Sequence, residues 1–115
     1  MDNIKDKKYF ISKVLENLYD ISAFMKDASL DDFAHNALLQ SAVSFKFIQA
    51  YENAKNLDAD EMSEEFRITL IKLKGFRNLI VHEYGKADII SVFDTATKDV
   101  PSFIKTLEKE IKWKF

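Results

Sequence analysis

An antiparallel bundle of four main α-helices is the fold that this 115-residue sequence predicts. Three observations carry that expectation. Two glycines and one proline are too few for the turns of a β-sandwich or barrel of this size. Apolar residues recur at spacings of three, four and seven, the period of one helix face. The polar connections are short, which makes sequential helices antiparallel neighbours. With 47% apolar residues and ten Phe, the length suits one core and one domain over residues 1–115.

Each element follows from its pattern. Ile4, Ile11, Val14, Leu18, Ile21 and Met25 form a single stripe, so a first helix covers 4–25 and stops near Lys26-Asp27. Ser29 is a cap for the second helix, with Asp31 and Asp32 in its first turn, where the helix dipole favours acids. That helix is expected to run to about Leu57. Its middle, from Ala37 through Phe45, Phe47, Ile48 and Ala50, is apolar on more than one face, which predicts a central helix packed on two sides. Asp58-Ala59-Asp60 is a polar connection. A third helix follows to Lys74, with Phe66, Leu70 and Leu73 on one side. Gly75 is expected to interrupt or end it, so that a short extra helical segment carries residues up to Tyr84, and Gly85 suits a left-handed stop. Asp88 caps the last helix, whose stripe is Ile89, Phe93, Ala96, Val100, Phe103, Ile104, Leu107 and Ile111. Pro101 lies inside it, removes a backbone donor and should kink it.

Composition narrows the function. There is no cysteine, hence no disulfide and no thiolate metal site. The charged N-terminus has no apolar signal core, and no window approaches the ~18–20 apolar residues of a spanning helix. A cytoplasmic protein without membrane attachment is the expectation. The net charge of −2 excludes a generally basic nucleic-acid binder. The charge is uneven, however. Residues 67–86 hold five basic residues against the one acid Glu83, a net +4, so the remainder carries −6. By itself this is either a solvated helix face or a strip that tracks phosphates.

The basic segment contains GFRNLIVHEYG, residues 75–85, bounded by the chain's two glycines. On a helix Arg77 and Tyr84 are two turns apart and share a face, while Asn78 and His82 are neighbours at four residues. Arg77 and His82 are five apart, roughly 140° around and ~7.5 Å along the axis. A compact site therefore needs an unwound end or a second copy of the helix across a two-fold axis. Leu79, Ile80 and Val81 anchor the segment in a core.

Each residue also has an ordinary reading. His82 suits a structural histidine, Arg77 an ion pair with Glu83 or Glu61, Tyr84 a core edge, and Asn78 a helix surface. Together they suit phosphate chemistry. An imidazole near neutral pKa can take a proton from a hydroxyl. A guanidinium can hold a phosphate bidentately and stabilise added negative charge, and Asn78 could fix the tautomer of His82. His35, with Asp31 and Asp32, could form only a loose metal site, and capping explains those acids better. No metal site and no cofactor are expected. The sequence has no Gly-rich phosphate loop, so any ATP-handling enzyme is another chain.

FRNLIVHEY resembles the Arg-Asn-x-x-x-His-x-Tyr signature of HEPN-domain proteins, in particular the HepT-like toxins of toxin–antitoxin pairs. The segment 29–57 is similar to that family's second helix, with Glu52 and Ala54 where a Gly-Glu-Ala-Ala run is usual. Residues 93–111 resemble its last helix, Pro101 included. Tyr51 and Asn53 depart from the pattern, standing where Gly and Ala are usual, and Leu70 is near the place of a common Trp. The resemblance implies an HEPN-like bundle and a metal-independent ribonuclease acting as a homodimer. His82 would promote attack of a ribose 2′-hydroxyl on the adjacent phosphate, and Arg77 would stabilise the resulting charge. The implied partner is a small nucleotidyltransferase antitoxin of the MNT type, which would transfer AMP to Tyr84. The phosphate so added would compete with RNA for Arg77 and for Lys72, Lys74 and Lys86. Two rival readings are a non-catalytic HEPN subunit that supports a nucleotidyltransferase, and a purely structural helical adaptor.

Overall fold

The first apolar stripe forms α1, Asn3–Met25, and buries Ile11, Val14, Leu18 and Ile21 completely. The computed structural model describes residues 3–83 and 89–114, with the side chains of 3–5, 82, 83, 113 and 114 outside the description. No strand occurs among the described residues. After α1 the chain reverses through Asp27, whose φ of 62° lies in the left-handed region that Asp tolerates better than most residues.

Ser29 caps α2, Leu30–Ala34, with a reciprocal capping box. Its Oγ accepts from the Asp32 N–H at 3.0 Å, and Asp32 Oδ2 accepts from the Ser29 N–H at 3.0 Å. The continuous helix expected from here to Leu57 is corrected. The chain breaks at His35–Asn36, and α3 spans Ala37–Ala54. Asn36 causes the break by capping the new helix, its Oδ1 accepting from the Leu39 N–H at 3.0 Å. Gln40 then donates to the freed carbonyls of Phe33 and Ala34 at 2.8 and 3.2 Å. The break lets α2 turn Phe33, fully buried, onto the core.

The central position expected for this helix is found in α3, which packs between α1 and α4. Val43, Phe47, Ala50 and Ala54 are buried, while Leu38 and Phe45 stay exposed. Lys46 on α3 pairs with Asp20 on α1 at 2.8 Å. A 3-10 turn, Ala59–Glu61, is capped by Asp58 and leads into α4, Glu64–Glu83.

Two groups secure the start of α4. Ser63 Oγ accepts from the Phe66 N–H at 3.2 Å. The Ser63 N–H and hydroxyl in turn donate to the Glu110 carboxylate of α6 (Val100–Lys114) at 3.2 and 2.7 Å. Glu110 is buried, so its charge sits beside the positive end of a 20-residue helix. Gly75 neither interrupts nor ends this helix, which corrects the expected separate segment: the motif up to Glu83 belongs to α4 itself. Glycine in a helix interior costs roughly 0.5–1 kcal/mol. The packing of Leu73, Phe76 and Ile80 on either side outweighs that cost.

The stripe of the last helix is distributed over α5 (Ile89–Asp94), a π turn at Thr95–Asp99, and α6. In the π turn the Val100 N–H donates to the Thr95 carbonyl, five residues back. The widened turn lies immediately before Pro101, whose ring opposes the carbonyl four residues earlier in a regular helix. Val100, Phe103 and Leu107 are buried where α6 packs on α1 and α4, Ala96 where the π turn meets α1, and Val92 in α5, which packs on α2. The expected caps at Gly85 and Asp88 lie outside the described residues. Among the described residues no helix is long and apolar enough to cross a membrane.

Candidate functional site

The site grows from the seam between α3 and α4. The two helices run antiparallel, pinned by the Phe47 and Phe76 rings, which meet edge-on at 4.5 Å between centroids. Phe66, Leu73 and Ile80 bury the inner face of α4. One residue beyond Phe76, Arg77 enters the seam with its side chain 26% exposed.

Its guanidinium has three neighbours. Nη1 donates to Asn78 Oδ1 at 3.1 Å, and Nη2 donates to Glu52 Oε1 at 3.3 Å. The Tyr51 ring lies 5.8 Å from Cζ, within cation–π range. Nε is buried and has no hydrogen-bond partner among the described residues. The contact with Glu52 is monodentate and longer than the 2.7–2.9 Å typical of charge-assisted bonds. Glu52 is also shared with Lys55, to which it is paired. The hydrogen bond from Lys55 is the main reason that the Glu52 carboxyl stays below its usual range, and the charges of Lys55 and Arg77 add to it. Arg77 is thus partly buried and oriented while its bonding capacity is incompletely used. Such a group can accept a phosphate without first breaking a strong ion pair.

The expected residues divide. Arg77 and Asn78 touch each other, so the Asn78 carbonyl serves the guanidinium. His82 lies in α4, but its side chain, and Tyr84 and Lys86 entirely, lie outside the described residues. The expected acids for Arg77 are replaced by Glu52: Glu61 pairs with Lys7, and the side chain of Glu83 is outside the description. Lys74 and Lys72 are both exposed on α4, but two residues separate them by about 200°. Lys74 is on the Arg77 side and Lys72 is not, so they do not form one strip with it. His35 is exposed and bonds the Asp31 carbonyl through Nδ1 at 2.9 Å. Among the described residues no cluster of His, Cys, Asp and Glu could hold a metal.

Two hollows flank Arg77 along the seam. Toward the α3 C-terminus is a groove of about 410 Å³ whose walls include Tyr51, Leu57, Arg67, Leu70 and Lys74. Toward the other end is an apolar hollow of about 300 Å³ lined by Ser41, Ser44, Phe45, Ile48, Ile80 and Val81. Sequence reasoning missed Glu52 and Tyr51 as neighbours of Arg77. For Glu52 nothing local pointed to Arg77.

The fold and site describe a small all-α bundle with a partly buried arginine at a helix seam, followed after four residues by a histidine on the same helix. The comparisons specify the family. The model of the family described as Ribonuclease HepT-like matches residues 14–110. Two proteins of Methanocaldococcus jannaschii, named "Putative RNase MJ0125" and "Putative RNase MJ1216", are each 30% identical over 108 residues. Those matches span 94% of this chain and 93% and 89% of the relatives. "Putative RNase TTE0752" of Caldanaerobacter subterraneus is 22% identical over 95% of this chain and 94% of its own length. No solved structure gives a significant match. The chain belongs to the HepT-like ribonuclease family.

Proposed function

We propose that this chain is an endoribonuclease that cleaves RNA without a metal, as a homodimer, and serves as the toxin of a type VII toxin–antitoxin module. In this reading the His82 imidazole takes the proton of a ribose 2′-hydroxyl. The 2′-oxygen attacks the adjacent phosphorus, the bond to the 5′-oxygen breaks, and a 2′,3′-cyclic phosphate and a 5′-hydroxyl result. Arg77 stabilises the added charge of the pentacoordinate phosphorus. The observation that carries the reading is the state of Arg77: oriented by Tyr51 and Asn78, loosely paired with Glu52, and holding an unpartnered buried Nε.

Dimerisation completes the site. Arg77 and His82 belong to one helix at five residues' spacing, about 140° apart. The partner copy's motif would supply what one helix cannot bring together. Leu38 at 82%, Phe45 at 56% and Val81 at 43% exposure give an apolar face that runs up to Arg77, suited to an isologous contact. The partner enzyme of this reading is an MNT-type nucleotidyltransferase that attaches AMP to Tyr84 and so places a phosphodiester in competition with RNA.

The decisive experiment compares RNA cleavage by the wild type, Arg77→Ala and His82→Ala at matched purity, with and without EDTA. Cleavage should fall by about two to four orders of magnitude in each variant. It should survive the chelator in the wild type. Equal cleavage by all three proteins, or none by the wild type, would sink the assignment; the second result would favour a non-catalytic HEPN subunit.

A further inference from the structure

We propose that the groove at the Leu57–Arg67 end of the α3–α4 seam is a subsite for the RNA strand flanking the scissile phosphate: Tyr51 stacks on a base while Arg67 and Lys74 hold phosphates. The inference rests on the ribonuclease reading and adds to it a binding site on a different part of the chain. Leu70 and Ile71 of α4 line the groove together with Ala54 of α3 and Leu57 just beyond that helix, and give it an apolar floor. Ile71 is 70% exposed, so the floor is open to a ligand from solvent. Tyr51 forms the wall nearest Arg77, and its ring touches both the groove and the guanidinium.

The charges around the floor are mainly cationic. Arg67 and Lys74 are exposed and have no ion pair among the described residues, whereas Lys55 is already tied to Glu52. Asp60 is the one acid among the lining residues. Arg67 and Lys74 are seven residues apart, so they share a face of α4 at about 10.5 Å separation, with Ile71 between them. Lys74 precedes Arg77 by less than one turn. The order of cation, apolar floor, cation, aromatic ring and Arg77 matches a single strand, whose anionic backbone alternates with flat, stackable bases. A membrane surface would need a flat apolar face, and an acidic peptide would not need the aromatic wall beside Arg77.

The test is a binding titration of a short single-stranded RNA with the full chain carrying His82→Ala, so that the probe is not consumed. Adding Arg67→Ala and Lys74→Ala should weaken binding at least five-fold. It should also reduce the slope of log affinity against log salt by about 1.4, two lost contacts at about 0.7 each. Tyr51→Ala should weaken binding by about 5- to 100-fold, and Tyr51→Phe should bind like its parent, because stacking needs the ring alone. With His82 intact, Arg67→Ala/Lys74→Ala should raise KM and leave kcat within about two-fold. That readout separates a subsite from the reacting centre.

The proposal is overturned if the double variant binds RNA with the parental affinity and salt slope while the wild type still cleaves; the ribonuclease reading would then stand alone. It is also overturned if the double variant keeps RNA but loses a nucleotidyltransferase partner, which would make the groove a protein-docking site. A wild type that neither binds nor cleaves RNA overturns both.

Discussion

Gly75→Ala tests the continuity of α4 and, through it, what approaches the motif. Gly75 lies mid-way along a 20-residue helix, on its solvent side. A Cβ added there would meet nothing within 4 Å. The backbone is helical, so alanine brings no strain, and two descriptions of the gain agree. Helix propensity favours Ala over Gly by about 0.8–1.0 kcal/mol in a helix interior. The lower entropy of the unfolded chain gives about 0.4–1 kcal/mol for the same change. These are one effect seen from two sides and are not summed. For a chain of this length the gain corresponds to a rise in Tm of roughly 3–6 °C. Thermal and urea unfolding followed by circular dichroism, at one protein concentration, measures it. Destabilisation would refute the reasoning, because it would mean that Gly75 breaks α4 in solution. A stabilised protein that no longer cleaves would instead show that the missing side chain makes room for RNA or for the second copy.

Other expectations follow from named contacts. Glu110→Ala leaves the Ser63 N–H and hydroxyl without their buried acceptor; urea unfolding should show a loss of about 1–3 kcal/mol at unchanged m. Phe45→Asp with Val81→Asp places charges on the apolar face beside Arg77 and should give monomers by sedimentation, with cleavage lost; an active monomer would remove the dimer from the mechanism. Acid should loosen the molecule through Asp32 and Glu52. Hydrogen bonds from Ser29 hold Asp32 below its ordinary 3.8, and Lys55, then Arg77, hold Glu52 below its ordinary 4.5. A carboxyl depressed in the folded state stabilises fully above its ordinary value and loses that contribution as pH falls through the folded one. The urea midpoint should therefore stay level down to the ordinary values and decline below them, and Glu52→Gln should flatten part of that decline. Incubation with the partner nucleotidyltransferase, ATP and Mg²⁺ should add AMP to the wild type and not to Tyr84→Phe by intact mass; an equal gain on both proteins would take Tyr84 out of the proposal.

The sequence announced what is local and periodic. The stripe from Ile11 to Met25 is buried as its spacing required, and the box at Ser29 is formed by residues three apart. The motif led to the correct family, because its residues stand close together in the chain. Legibility ended where a local rule competed with a longer pattern. Asn36 sits inside an apolar period that reads as one helix, yet its side chain captures the Leu39 N–H and starts a new one. Gly75 reads as a stop, yet the anchors on both sides hold the helix through it. Glu52 was hidden for another reason. Its contact with Arg77 spans 25 residues and exists only because α3 and α4 meet antiparallel at a particular register. Glu110 looks like one more surface charge among the lysines of the last helix, and only the fold turns it inward.

The link between Ser63 and Glu110 also orders events in time. The two residues are 47 apart in the chain, and ribosomes emit the earlier one first. At about 5–20 residues per second, several seconds pass before the carboxylate is even made. During that interval α6 is still incomplete. A chain that still lacks Glu110 therefore has no acceptor for the Ser63 N–H and hydroxyl at the start of the helix bearing Arg77. Hydrogen exchange on chains stalled before Glu110 should find the α4 amides less protected than in the released protein; equal protection would mean that the motif helix matures without its distant cap.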